Sequence, residues 1–250
     1  MRRAVYIRAG TSNLGVPESL RQRLLEHALS AHEVGMLAER TVESAGFQWL
    51  ESRKVSVRAF YMDIEPVSVR EFAGFAKLIL DTRFRKLSLD DRRYYEGHAS
   101  YVADLADQPV RGVSWADACL MCHLLGGRLP RFSECMRARR KGMEAPDIIR
   151  EMDRSKAKLG SESQAFTTWC GCKFFLSDSG EWTSSRASRE LTGLAREDAR
   201  ERLIFGGDSF LSGAVIDVIT GYGELLYRTR NAYTSPIYDG VGFRCAYSTM

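Results

Sequence analysis

The sequence predicts an α+β protein in which a few helices and short strands are joined by long irregular loops. Two stretches, 66–80 and 113–127, show helical periodicity behind good capping residues. From about residue 166 onward, short apolar runs are broken by Gly, Ser, Asp and Asn, a pattern typical of short strands and turns. Only two or three convincing helices lie among much irregular chain, which favours the α+β class.

The amino-terminal part of the chain predicts two strands and one helix. "AVYIRA" (4–9) reads as an opening strand and "GTSNLG" as the turn that follows it. A helical pattern covers 17–45, where leucines recur at helical spacing after Pro17. "KVSVRAFYMD" (54–63) alternates between apolar and polar residues, as a strand does.

The first well-capped helix begins in "PVSVREFAGFAKLIL". Ser68 is a good N-cap, and Glu71, three residues later, completes a capping box. Phe72, Phe75 and Leu78 fall on one face of this helix, so we expect that face to be buried.

A second helix follows a charged stretch, 81–107, which contains several tyrosines and which we predict to be a surface excursion. "VSWADACLMCHLL" opens with Ser114 and Asp117 at capping-box spacing, and Gly126-Gly127 predicts its end. The polar segment 142–166 has only weak periodicity.

Composition describes an ordinary globular chain: of 250 residues, 44% are hydrophobic and 27% charged. No apolar run approaches the roughly 18 residues that a membrane helix needs. The start, "MRRAVYIRAG", has arginines but no apolar core of a secretory signal, so we expect a cytoplasmic protein without a membrane partner. Its six cysteines are then expected to be reduced thiols. There is no internal repeat or low-complexity linker, which favours a single domain.

Basic residues cluster in one place, at Arg137, Arg139, Arg140 and Lys141. A solvated helix end is the favoured interpretation, because Arg is interleaved with Asp and Glu almost everywhere in the chain. Contact with nucleic acid is not excluded by this cluster.

Five segments, in order, resemble one known family. They are "AVYIRAGTSNLG", "FYMDIEPVSVREFAGFA", "QPVRGVSWADACLMCHLLGGRLPRFSE", "SDSGEWTSS", and "RLIFGGDSF" followed by "DGVGFRCA". The third, in which a Ser-Trp-x-Asp-Ala helix leads to Gly-Gly-Arg-Leu-Pro and a Glu, is the strongest. The chain is thereby identified as resembling the formylglycine-generating-enzyme (sulfatase-modifying factor) domain family.

The resemblance implies a C-type-lectin-like fold with a small twisted antiparallel core, two or three helices and long loops. It covers most of the chain as one domain, 1–250, with insertions near 17–50, 81–105 and 142–165. The matching residues also make sense as scaffold. Leu129 and Phe243 are expected in the core, and Arg128 and Glu134 are expected to satisfy buried backbone or each other. Arg244 is a candidate for a buried ion pair with Asp117 or Glu181.

The chemistry of the catalytic members is not expected to carry over. In those members, two cysteines shortly after the Gly-Gly-Ser strand hold a copper ion and convert a substrate cysteine to formylglycine; thiolates suit Cu(I) because both are soft. The corresponding stretch here, Gly206 to Asn231, contains neither cysteine nor histidine. The resemblance therefore predicts a non-catalytic member that is not expected to bind copper, and no catalytic residue is assigned.

The sequence leaves three other kinds of metal site to consider. Cys119, Cys122, Cys170 and Cys172 could form a zinc site, although buried thiols are the favoured interpretation. A second branch of the family uses a 2-His-1-carboxylate iron site, but the four histidines here are poorly spaced for one. Family members often hold structural calcium, for which Asp178 and Glu181 are the surviving oxygen ligands.

The leading functional hypothesis is a binding or adaptor protein that uses the carboxy-terminal loop surface, 208–239. Aromatic residues there are interleaved with Ser, Gly, Asp, Asn and Arg, a composition similar to that of a paratope. The partner would be a protein or other macromolecule, and a multi-subunit bacterial complex is one setting for it. The alternatives are a retroelement-diversified ligand-binding protein of the same fold and a divergent metal-dependent oxidase or sulfur-chemistry enzyme. The predicted binding surface consists of Phe210, Tyr222, Tyr227, Arg230, Asn231, Tyr233 and Tyr238.

Overall fold

The computed structural model describes residues 2–14, 53–81, 87–100, 103–139, 165–175, 180–186, 202–205 and 241–249. These residues form small sheets and four α-helices, so the predicted α+β class is confirmed. The predicted 17–45 helix and most of the 142–165 insertion lie outside the described residues.

The first sheet joins the two ends of the chain. Strands β1 (Ala4–Ile7) and β10 (Ala246–Ser248) flank β4 (Phe60–Asp63), and both pair with it in antiparallel fashion. Ile7, Phe60 and Met62 are fully or almost fully buried, while Tyr6 and Tyr61 face outward, as period-2 alternation requires.

The stretch predicted as a turn after β1 is itself a strand. β2 (Gly10–Leu14) pairs antiparallel with β3 (Arg53–Val57), in the register Gly10↔Val57 to Leu14↔Arg53. The Gly-Thr-Ser-Asn composition indicated a turn, but the pairing partner lies about forty residues away and overrides that local preference. The predicted single strand 54–63 is likewise two strands, β3 and β4, that belong to different sheets.

Helix α1 (Val69–Asp81) begins at the predicted capping box. The Ser68 N–H donates to the Glu71 carboxylate at 2.8 Å, and the Glu71 N–H donates to Ser68 Oγ at 3.3 Å. Phe72 and Phe75 are buried as predicted, but Leu78 is 52% exposed. The buried stripe passes through Ala76 instead, so the prediction for Leu78 is wrong.

The charged stretch after α1 is not simply a surface excursion. Helix α2 (Leu89–Ala99) opens with a full capping box between Ser88 and Asp91 and packs against α1. Tyr95 enters the core, where its hydroxyl donates to Asp117 Oδ1 at 2.7 Å. Two adjacent tyrosines, Tyr94 and Tyr95, thus pack an otherwise polar helix against the core, which explains why charge patterning missed it.

Helix α3 (Trp115–Leu124) begins at Ser114, whose Oγ accepts from the Asp117 N–H at 3.1 Å. The predicted box is only half formed, because the Ser114 N–H donates to the Tyr94 hydroxyl rather than to Asp117. The helix is capped by Leu125, and the following residue, Gly126, has a φ of 77°, as the Gly-Gly pair predicted. Helix α4 (Phe132–Arg139) follows directly.

The remaining strands form two sheets near the carboxy-terminal part of the chain. β5 (Ala165–Thr167) and β6 (Lys173–Phe175) form a hairpin. β7 (Gly180–Arg186) lies between β8 (Arg202–Phe205), which is antiparallel to it, and β9 (Val241–Gly242), which is parallel. Helices α1 to α3 and β7 share one core, whose largest members are Phe72, Phe75, Tyr95, Met121, Leu129, Trp182 and Phe243.

Candidate functional site

The segment 206–240, which carries the predicted binding surface, is held at both ends by the same strand. On β7, Glu181 pairs with Phe205 on one side and with Gly242 on the other. Neighbouring strands lie about 4.8 Å apart, so Phe205 and Gly242, which flank the segment in sequence, lie roughly 10 Å from each other.

Beside Glu181 lies a buried guanidinium. Arg244 has no exposed surface, and its Nε and Nη2 donate to the two carboxylate oxygens of Glu181, each at 2.5 Å. Its remaining N–H groups donate to three backbone carbonyls, those of Asp63, Ile64 and Lys173. Burial alone would lower the pKa of Arg244, but the Glu181 carboxylate outweighs it and raises the pKa. We call Arg244, Glu181 and these carbonyls the arginine anchor.

A second buried carboxylate lies beside the arginine anchor. Asp63 accepts from Arg2 Nε at 2.8 Å, from the Cys245 N–H at 3.0 Å and from the Tyr247 hydroxyl at 3.1 Å. Burial raises the pKa of Asp63, although Arg2 and the two hydrogen bonds oppose the shift. Asp63 therefore ties both ends of the chain to β4, a role for which the sequence offers no local signal.

Two tryptophans fix helix α3 against β7. Trp115 Nε1 donates to the Thr183 carbonyl at 2.9 Å, and Trp182 Nε1 donates to the Val113 carbonyl at 2.7 Å. The Trp of the Ser-Trp-x-Asp-Ala segment and the Trp of "SGEWTSS" are thus reciprocal hydrogen-bond donors. These contacts hold the strand that carries Glu181 in place.

The Gly-Gly-Arg-Leu-Pro segment forms a compact turn with its own ion pair. Arg128 binds Glu134 in bidentate fashion, with both N···O distances at 2.7 Å, and Glu134 also accepts from the Arg131 N–H. The prediction that Arg128 and Glu134 satisfy each other is confirmed. Leu129 is 1% exposed and fills the core as expected.

Arg137 is placed differently from the predicted solvated helix end. Its side chain is 9% exposed and donates to the carbonyl of Thr11 in β2 and to that of Ala9, which lies between β1 and β2. The solvated-end interpretation is therefore wrong for this residue, because β2 and β3, which are distant in sequence, pack against helix α4. Arg140 and Lys141 lie outside the described residues, so nucleic-acid contact by this cluster stays a prediction.

The cysteines separate into distinct places. Cys122 lies in α3 with its Sγ 2.6 Å from that of Cys245, and burial raises the pKa of Cys122. Cys135 is fully buried in α4, and Cys170 and Cys172 lie in the β5–β6 hairpin. Within the part of the chain that the structure describes, no three His, Cys, Asp or Glu side chains are grouped as metal ligands.

The donor set does not suit the copper ion that the family resemblance implies. Soft thiolate ligands are needed for Cu(I), and none is present between Gly206 and Asn231. For calcium, both oxygens of Glu181 are engaged by Arg244, and Asp178 lies outside the described residues. The calcium site stays a prediction.

Each residue of the predicted binding surface lies outside the described residues, in 206–240. Among the described residues, Glu181 lies between the two strands that flank that segment, and Arg244 pairs with it. The predicted pairing of Arg244 with Glu181 is confirmed. Sequence reasoning missed Arg2 and Asp63, since their contacts span about sixty residues or more. For Cys170 and Cys172 of the β5–β6 hairpin, it offered a zinc site or buried thiols, and did not anticipate their different burial.

These features define an α+β domain in which β7 pairs with the two strands that flank the segment 206–240. Residues 3–186 match the model of the sulfatase-modifying factor enzyme 1-like domain, and the chain belongs to that family. A solved structure, PvdO from Pseudomonas aeruginosa, matches with a TM-score of 0.52 at 14% identity; 98% of this chain and 94% of that one are covered. At that identity the likeness shows the fold alone.

A comparison with curated proteins gives no match. The family match ends at residue 186, before the segment 206–240, whereas the likeness to PvdO extends over nearly the whole chain. Among the helices that the structure describes, none is long and apolar enough to cross a membrane.

Proposed function

We propose that this chain is a non-catalytic binding protein that presents the segment 208–239 to a protein or other macromolecule. The observation that carries the proposal is the composition of 206–240: five aromatic side chains, several Gly, Ser and Asp residues, and no cysteine or histidine. Tyrosine provides a large contact area at low entropic cost, and small polar residues provide adaptable hydrogen bonds.

The base of the segment supports this proposal. The two flanking strands pair with β7 on either side of Glu181, and the arginine anchor beneath them engages both Glu181 oxygens. A rigid base that carries a long loop is a general design for recognition, because only the loop has to vary. The charged atoms of the anchor are fully used by the scaffold, so they support the base rather than a reaction.

The absence of copper ligands supports the non-catalytic part of the proposal. In the family's catalytic members the corresponding segment supplies two cysteines, and Leu211, Ser212, Ala214 and Ile216 stand in that region here. None of these side chains can bind Cu(I). We infer that the scaffold was retained while its oxidative chemistry was not.

The test compares aromatic residues of the segment with an aromatic residue elsewhere. The tagged full-length chain is used to recover partners from a lysate of its source, beside the Tyr222→Ala/Tyr233→Ala variant and the Tyr6→Ala control. Tyr6 is 47% exposed on β1, far from the segment in sequence. Loss of two hot-spot tyrosines is expected to reduce recovery of a partner at least tenfold, because each such residue contributes about 2 kcal/mol or more.

The control is expected to recover the partner at the wild-type level, and all three proteins should unfold at the same temperature. Recovery that is unchanged in the double variant, or equally reduced in Tyr6→Ala, would contradict the proposed surface.

A further inference from the structure

The β5–β6 hairpin ends in a five-residue loop, Thr168–Cys172, whose geometry is tightly specified. The Thr168 N–H donates to the Cys172 carbonyl at 2.8 Å, and the Gly171 N–H donates to the Thr168 carbonyl at 2.9 Å. Gly171 has a φ of 89°, a conformation that other residues rarely adopt. This tight loop carries two cysteines that are separated by one glycine.

The two thiols of the loop have different surroundings. Cys172 is fully buried, whereas Cys170 is half-buried at the tip of the hairpin. Thr168 Oγ1 lies 3.2 Å from Cys170 Sγ, and the Ala138 carbonyl lies 3.3 Å from it.

Hydrogen bonds favour the thiolate of Cys170. The Cys172 thiol, the Thr168 hydroxyl and the N–H groups of Cys172 and Cys170 together lower the pKa of Cys170 to about 6. The same thiol–thiol hydrogen bond, together with burial, raises the pKa of Cys172. Burial opposes this shift, and so does the Ala138 carbonyl, because it accepts from the protonated form of Cys170. One thiol is thus suited to attack and its neighbour to remain protonated until later.

The loop is open to reagents on the side of its tip. Trp169, beside Cys170, is 43% exposed, and the space around the Gly171 Cα is open within the described part of the chain. The Arg137 guanidinium lies 5.6 Å from the Trp169 ring centroid, and its buried Nε has no hydrogen-bond partner among the described residues.

We propose that Cys170 and Cys172 form a redox-active dithiol that exchanges with low-molecular-weight disulfides, with Cys170 as the nucleophile and Cys172 as the resolving thiol. The proposal is independent of the binding function of 208–239 and assigns a separate activity to the hairpin. It rests on the loop geometry, the spacing of the two thiols by a single glycine, and the different burial of the two cysteines.

The reaction proceeds in two exchanges. The Cys170 thiolate attacks one sulfur of a disulfide RSSR, the S–S bond breaks, and RS⁻ leaves and takes a proton from solvent. Cys172 then loses its proton to solvent and attacks Cys170 Sγ, which expels the second RS⁻ and forms the Cys170–Cys172 disulfide. The dithiol is oxidised by two electrons and RSSR is reduced to two RSH molecules.

The other described cysteines do not offer this combination. Cys122, Cys135 and Cys245 are fully buried, so small disulfides cannot reach them in the folded chain. Cys119 is half-buried, like Cys170, but it lies in helix α3 and not in a tight loop. Cys119 is therefore the matched control.

The experiment treats the reduced full-length chain with oxidised glutathione, quenches with an alkylating agent and maps the peptides by mass. The wild type is expected to lose two hydrogen masses in the peptide that contains 170–172. Cys172→Ser is expected to stop at one glutathionyl group on Cys170, since the resolving thiol is absent. Cys170→Ser should show neither product, and Cys119→Ser should behave as the wild type.

A second readout is independent of the product. From pH 5.5 to pH 8, the alkylation rate of Cys170 should rise only about fourfold, whereas an ordinary thiol gains about 200-fold over that range. Thr168→Val, which keeps the shape but removes the hydroxyl donor, should steepen the Cys170 profile. Circular dichroism confirms that each variant is folded.

The proposal is overturned if glutathione is found on Cys119 and not on Cys170, or if the wild type forms only a Cys122–Cys245 disulfide. It is equally overturned if Cys170 has the steep pH profile of an ordinary thiol.

Discussion

The arginine anchor and the Thr168–Cys172 loop are neighbours with opposite properties. The Lys173 carbonyl, one residue after Cys172, accepts a hydrogen bond from Arg244. In the anchor, a fully buried charge is paired and hydrogen-bonded by the scaffold on every side. In the loop, a half-buried thiol retains one open side. Polar groups that are fully satisfied inside the fold support stability, and those left accessible are available for chemistry.

The largest expected effect is at the anchor. Glu181→Ala removes the carboxylate that pairs with Arg244 in the described part of the chain, and so takes away charge compensation from a guanidinium in the core. We expect the free energy of unfolding to fall by about 3–5 kcal/mol. Urea denaturation measures it.

The matched control for that change is Glu65→Ala. Glu65 also pairs with a cation, Lys173, but both side chains are about half exposed, so the loss should stay below about 1 kcal/mol. If the two variants are equally stable, the contrast between buried and exposed pairs does not hold here.

A second change tests how closely the turn after α3 packs against β10. A Cβ on Gly127 would lie 2.8 Å from Tyr247 Cε1 and 2.9 Å from the Ala246 carbonyl oxygen. Gly127→Ala should therefore destabilise the protein by about 1–3 kcal/mol, because backbone has to shift.

Gly74→Ala is the control for that substitution, because Gly74 lies in helix α1 with open space around its Cα. It should stabilise the protein by about 0.5–1 kcal/mol. Thermal unfolding of the two variants should move in opposite directions, and a shift in the same direction would argue against the close approach at Gly127.

The Arg128–Glu134 pair provides an intermediate case. Arg128 is 37% exposed and Glu134 only 8%, so solvent screens this pair more than the anchor. Arg128→Ala should cost about 1–2 kcal/mol, since Glu134 keeps its hydrogen bond from the Arg131 N–H. If Arg128→Ala lowers the free energy of unfolding as much as Glu181→Ala does, burial does not determine how much each ion pair contributes to stability.

The smallest effect on stability is expected in the loop. Cys170→Ser should change the free energy of unfolding by no more than about 0.5 kcal/mol, because the residue is half-buried and the replacement nearly isosteric. The same variant should lose the reaction with oxidised glutathione entirely. A large destabilisation without loss of reactivity would reverse the comparison between loop and anchor.

Local features of the fold were predictable from the sequence, and long-range ones were not. The Ser68–Glu71 box and the Gly126 helix end depend on residues within one turn of each other. By contrast, β2 was mistaken for a turn because its partner strand is distant, and the burial of Tyr95 depends on Asp117 in another helix.

The candidate site divides in the same way. The Arg244–Glu181 pair could be foreseen as one of two options because buried arginines need a carboxylate. The lowered pKa of Cys170 could not be foreseen in this way. It depends on hydrogen bonds within a loop whose geometry the Cys-Gly-Cys spacing alone does not specify. The composition of 206–240 is available from sequence, and its role is a proposal.

The central claim is that the family's scaffold is kept without its oxidative chemistry. The most direct test is to load the protein with Cu(I), supply oxygen and a cysteine-containing peptide, and follow the mass of the peptide by mass spectrometry. The account predicts that no formylglycine is formed above the protein-free control. Copper-dependent conversion of many peptide molecules per protein molecule would contradict it.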